Sequence, residues 1–201
     1  MKLSWPKTEA ALFRLVVAEI EKLAKTYKGE PFYGFAFDCN SDYAEVLSSL
    51  NTESGLKESA AQAADPDDPQ KKVWADIDKK LGLETKRETR PPAYFEKERR
   101  WSIGDWKFMC FQSDAFEDAW APYKDVIEEA QFDSDDDETD PEEIKKKFME
   151  MACRVMVKLE KTKALDGLPR TSNFGTWVSD HDELDSESIA RLAAIRKSTR
   201  P

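Results

Sequence analysis

Apolar side chains recur along this chain with two different periods, and the periods mark out its elements. After Thr8, which can cap a helix, Phe13, Val16, Val17, Ile20, Leu23, Ala24 and Tyr27 follow at three- and four-residue steps up to the Lys28-Gly29 break. Pro31 introduces a period of two. Over Phe32–Asp38 the large side chains Tyr33, Phe35 and Phe37 alternate with Gly34 and Ala36, which predicts a strand whose second face is bare enough for something to pack closely on it. Cys39 to Asp42 supplies turn residues, and Tyr43 to Leu50 can return as an antiparallel partner.

Leu56 to Ala64 is Ala-rich and helix-prone, and the prolines within Asp65 to Pro69 end it. A further helix is expected with Asp68 as cap, Pro69 in its first turn, Val73, Trp74, Ile77 and Leu81 as its apolar stripe, and Gly82 as terminator. Leu83 to Pro92 reads as an exposed connection, and Phe95 to Trp101 as a short strand. Asp114 opens a helix with Phe116, Trp120, Tyr123, Val126 and Ile127 on one side, in which Pro122 predicts a kink or restart. Asp140-Pro141-Glu142-Glu143 has the cap, proline and acids that suit a helix start. Ile144, Phe148, Met151, Ala152, Val155, Met156 and Leu159 continue that helix. Asn173 to Ser179 is expected as a strand, and Ser186 to Arg196 as a last helix burying Ile189, Leu192, Ala193 and Ile195.

Strands and helices do not alternate regularly, which argues against a doubly wound parallel sheet. The expected fold is α+β: a mixed, largely antiparallel sheet packed against amphipathic helices, as a single domain over residues 1–201 with an acidic exposed loop at about 133–143.

Charge narrows the partners. The 41 acidic residues exceed the 31 basic ones, for a formal charge of -10, which disfavours a phosphate backbone or an anionic membrane. Neither nucleic acid nor membrane is expected as a partner. Eight acids crowd into Asp133 to Glu143. Such a block repels itself in a packed state and so marks a solvated loop, with a docking surface for a basic partner as the alternative. It is not a calcium loop, because Glu138 and Ile144 stand where glycine and glutamate are required. Cys39, Cys110 and Cys153 are odd in number and widely spaced. They predict reduced core thiols in a cytoplasmic protein.

His181 is the only histidine. With Asp180 and Asp182 it can be imagined as a hydrolytic or metal centre, but successive residues at a strand end point in different directions, and a turn or capping role fits better. No cofactor, metal site or catalytic residue is assigned. Trp101, Trp106, Phe108, Phe111, Phe116, Trp120 and Tyr123 form a dense aromatic series. It reads first as core, and secondly as a source of exposed binding anchors.

Several short pieces together carry a resemblance: Tyr33-Gly34-Phe35-Ala36-Phe37, Asn51-Thr52-Glu53, Arg100-Trp101 followed by Asp105-Trp106, and Ser179-Asp180-His181-Asp182. In their order the chain resembles a bacterial domain-of-unknown-function family, number 4303, associated with polymorphic-toxin immunity proteins. The insertion at Asp133 to Glu143 and the Pro91-Pro92 connection depart from the pattern. The resemblance implies binding in place of turnover, with a cognate protein such as a basic toxin as partner and a monomer or weak homodimer as the state of the chain. The expected partner-binding residues are Asp135, Asp136, Asp137, Glu138, Asp180 and Asp182, with Trp106 and Trp177 as anchors. The alternative is a small metal- or carboxylate-dependent hydrolase centred on Asp180, His181 and Asp182.

Overall fold

The computed structural model describes residues 2–83, 90–132, 140–181 and 183–199. In chain order its elements are α1 (Trp5–Thr26), β1 (Phe32–Asn40), β2 (Glu45–Thr52), α2 (Glu53–Ala64), α3 (Pro69–Lys80), α4 (Pro92–Arg99), α5 (Asp114–Phe132), α6 (Pro141–Lys161), β3 (Arg170–Asp180) and α7 (Asp185–Ser198).

The sheet is mixed, with β1 in the middle. It pairs antiparallel with β2, Phe35 facing Leu50, and parallel with β3, Phe35 facing Thr176. A strand between two neighbours and two helical layers must bury both faces, and Phe32 to Phe37 are all buried. Phe35, Phe37 and Cys39 join the larger core with Leu12 and Val16 of α1, Trp120 and Ile127 of α5, Phe148 and Ala152 of α6, and Leu192 of α7. The opposite face holds Tyr33 and Ala36 under Leu56, Ile103 and Trp106. Gly34 and Ala36 serve that second layer, but Tyr33, expected beside Phe35 and Phe37, joins them there, because the strand is irregular between Phe32 and Gly34. A Cβ on Gly34 would lie 2.9 Å from Trp106 Cη2.

Local signals account for several boundaries. Asp140 accepts from Glu142 N at 3.0 Å and starts α6, and Thr52 accepts from Gly55 N at 3.1 Å and starts α2. Helix α1 begins earlier than Thr8, at Trp5, because Pro6 suits a first turn and Thr8 is instead buried with its hydroxyl donating to Ser4 O.

Other expectations are corrected. Phe95 to Trp101 is not a strand: most of it lies in α4, which Pro91 and Pro92 initiate and which packs on α2. Helix α5 continues through Pro122 without a restart. On α3 the expected apolar stripe is not covered, with Val73 57% and Leu81 68% exposed; the side chain of Trp74 lies outside the described residues. On α7 Ile189 and Ala193 face solvent, while Ser188 and Leu192 are buried. Cys39 and Cys153 are core thiols, but Cys110 is exposed in a left-handed turn with φ 49°.

Candidate functional site

Three of the four pieces that carried the resemblance, those around Tyr33, Asn51-Thr52-Glu53 and Arg100 to Trp106, converge on one network in the smaller core. Tyr33 Oη donates to Arg100 O at 2.8 Å and accepts from Asn51 Nδ2 at 2.9 Å. Trp106 Nε1 donates to the same Arg100 carbonyl at 3.1 Å. The Arg100 guanidinium lies 4.6 Å over the Tyr33 ring and bonds both oxygens of Glu53, at 3.0 and 2.8 Å. Burial pushes the Tyr33 phenol up to about 12, against the smaller effects of Asn51 and Arg100. These residues thus join β1, the start of α2 and the segment after α4. Their polar groups are spent on one another, which is the arrangement of a structural clasp.

Trp106 belongs to that clasp and is 2% exposed, so it does not serve as a surface anchor. Its indole N–H needs the Arg100 carbonyl because it is buried. Trp177 is half-buried and stacked on Trp101, with centroids 5.8 Å apart.

At the carboxyl ends of the parallel pair β1 and β3 lies a cleft of about 610 Å³. Crevices at such strand ends are common ligand positions in open α/β sheets. Five carboxylates line it, those of Asp42, Glu142, Asp180, Glu183 and Glu187, against three cations, Lys145, Lys146 and Arg191. Lys145 Nζ bridges Asp42 at 2.6 Å and Glu142 at 2.9 Å, and these two partners, Asp42 first, raise its pKa. Arg191 pairs with Glu183, which also accepts from Ser188 Oγ at 3.1 Å.

Asp180 is the one expected partner-binding acid that the described residues place here. Its Oδ1 accepts from Ser41 N and His181 N, both at 3.0 Å, a turn-fastening role. His181 Nδ1 lies 3.4 Å from Asp38 Oδ1. Burial raises the Asp38 pKa, His181 lowers it and Asp180 raises it. Asp182 lies outside the described residues, as do Asp135, Asp136, Asp137 and Glu138. The chain that carries the last four enters α6 at Asp140, one turn before the cleft wall formed by Glu142, Lys145 and Lys146. Among the described residues, no group of three or more His, Cys, Asp and Glu is arranged to hold a metal ion, and no helix is long and apolar enough to cross a membrane.

A second cleft, of about 580 Å³, runs between α2, the end of α4 and residues 104–109. Its charges balance: Lys107 pairs with Glu58 at 2.9 Å and Arg99 with Asp105 at 3.0 Å, and Asp68 and Lys71 add one of each sign. Acid excess therefore distinguishes the strand-end cleft.

Asp42, Glu142, Glu183 and Glu187 escaped the sequence reading as site residues. Each has a local explanation, in a turn or a first helical turn, and only the parallel pairing of β1 with β3 brings them together. The run of acids before α6 was the available signal.

No curated protein and no solved structure matches the chain. The family model described as Domain of unknown function (DUF4303) matches residues 12–194. The match takes in α1 from Leu12, the whole sheet, the clasp and the strand-end cleft, and the chain belongs to that family.

Proposed function

We propose that this chain is a non-enzymatic binding protein of the immunity type, which neutralises a cognate basic toxin by protein contact in the cytoplasm. The supporting observation is the excess of carboxylates around the strand-end cleft, with the acid-rich segment Asp133 to Glu143 leading into its wall. Clustered charge of one sign raises the encounter rate with an oppositely charged partner and does so less at high salt. The chain's overall charge of -10 adds to the same field. In this reading Asp135, Asp136, Asp137 and Glu138 steer, the cleft seats a basic element of the partner, and Trp177 lies on another face.

The test is protection of cells that express a toxin encoded beside this chain's gene. The wild-type chain should restore growth, and a Glu142→Lys/Glu187→Lys variant or one with Asn and Gln at 135–138 should protect less. In vitro, association between the two purified proteins should slow as salt rises. Undiminished protection by both variants would overturn the assignment.

A further inference from the structure

We propose that the exposed face of α3 in one copy of the chain docks on the strand-end cleft of a second copy. Both halves of this contact lie uncovered on the single chain. Val73, Ile77 and Leu81 recur at four-residue steps along α3 and its end, and Val73 and Leu81 are 57% and 68% exposed. The helix carries Lys71, Lys72, Lys79 and Lys80 against Asp76 and Asp78, so it is cationic in a chain of formal charge -10. Lys72 pairs with Asp67 at 3.3 Å, whereas Lys79 and Lys80 are exposed and in no ion pair among the described residues. An amphipathic helix with an open apolar stripe flanked by lysines is suited to an acidic groove with apolar ground.

The cleft matches that helix in charge and in surface. Of its five carboxylates, Asp42 and Glu142 share Lys145, and Glu183 holds Arg191. The other two accept from backbone amides, Asp180 from Ser41 N and His181 N and Glu187 from Leu184 N at 3.3 Å, and form no ion pair among the described residues. Met149 and Ala190 also line the cleft, and Leu184 and Tyr43, next in the chain to Glu183 and Asp42, are 69% and 56% exposed. Lys79 and Lys80 are thus offered two carboxylates that lack a cation, and Val73 and Leu81 an apolar margin. Other pairings are poorer. Two α3 helices laid together, in either direction, set lysines against lysines, and the cleft beside α2 has balanced charges. One twelve-residue helix covers less than the about 800 Å² a side of a standard stable interface, so the contact is weak and depends on concentration.

Competition between α3 and a basic toxin for the cleft rests on the function proposed above, whereas the contact between copies is measured without a toxin. In sedimentation equilibrium at low salt, the apparent mass of the full chain should rise above the 23.1 kDa of one copy as concentration approaches about 1 mM, and fall back in about 0.5 M salt. Leu81→Ser should weaken association about tenfold. Lys79→Glu/Lys80→Glu and Glu142→Lys/Glu187→Lys should each weaken it by about tenfold or more, and an equimolar mixture of the two should regain it, because each then offers the helix that fits the other's cleft. A wild type that stays monomeric over this range would overturn the contact. So would undiminished association of Lys79→Glu/Lys80→Glu, or two folded charge variants that fail to associate when mixed. Lys79 and Lys80 are exposed, so the α3 variant decides the matter even if the cleft variant does not fold. A monomeric chain leaves the toxin reading to its own experiment, and failed protection from a toxin leaves this contact to the centrifuge.

Discussion

Trp101 lies almost parallel to Trp177, the rings 18° from coplanar, and its edge rests over the bare backbone of Gly175. A Cβ on Gly175 would sit 2.7 Å from Trp101 Cη2. Trp101 also approaches Trp106 and Tyr33, with centroid distances of 6.0 Å in both cases, so it has little freedom to retreat. Gly175→Ala should cost about 1–3 kcal/mol, the usual penalty of overpacking, measured by urea unfolding. Gly104 has nothing within 4 Å of an added Cβ. Gly104→Ala should stay within about 0.5 kcal/mol of the wild type.

Tyr33 is 1% exposed and its phenol is pushed up to about 12 from 10.0. The sign follows from the neutral form being the favoured one. Stability from this group is complete below pH 10 and is lost as pH rises towards the folded value, by about 2–3 kcal/mol in all. Ultraviolet titration should show one phenol ionising late, together with unfolding. Tyr33→Phe should remove that late ionisation. At neutral pH the same change leaves Asn51 Nδ2 buried without an acceptor, so it should cost about 1–3 kcal/mol.

Cys110 is the exposed thiol, and burial of its sulfur together with the Asp38, Glu117 and Glu45 charges raises its pKa. A raised pKa leaves less thiolate at any given pH, so it should react with a disulfide reagent more slowly than a free thiol at neutral pH and faster as pH rises. Cys39 and Cys153 are fully buried, and burial pushes Cys153 up to about 12. Native protein should release one equivalent, Cys110→Ser none, and unfolded wild type all three. Rapid reaction of two or three thiols in the native state would contradict the buried placement.

Arg100 tests whether the Arg-Trp piece is chosen for charge or for shape. Lysine keeps the charge but cannot bond both Glu53 oxygens while lying flat on Tyr33. The pair is about one-third exposed, so solvent screening limits the loss. Arg100→Lys should cost on the order of 1 kcal/mol, with Glu53→Gln adding little once Arg100 is changed, as a double-mutant cycle would show.

The helices with an intact apolar period were legible from sequence, because α1 and α6 each turn one regular stripe to the larger core. The strand β1 was legible, but its faces only in part: Trp101 and Trp106 pack on the bare backbone at Gly34, while an irregularity between Phe32 and Gly34 puts Tyr33 on that side too, away from Phe35 and Phe37. Helix α4 was not. Tyr94 and Phe95 carry strand preference, but the double proline before them and the surface of α2 decide the matter. The stripe of α3 misled in the other direction, since periodicity reports an amphipathic helix and not what covers it. At the site, Asp180 was visible from its place at a strand end. Its companions Asp42 and Glu187 lie far from it or on the next helix, and their meeting depends on the register between β1 and β3. Trp106 shows the limit of counting aromatics: its N–H partner, a backbone carbonyl, has no signature in sequence.

That register has a further consequence for how the chain acquires its shape. The central strand pairs Phe32 with Arg170, so the parallel half of the sheet closes only across most of the polypeptide. Contacts of such high sequence separation fold slowly, because a large loop must be ordered before any pairing is gained. On the ribosome, Phe32 to Phe37 would be complete long before β3 and α6 exist to cover them. A nascent chain holding this aromatic strand uncovered is open to aggregation until the C-terminal elements are made.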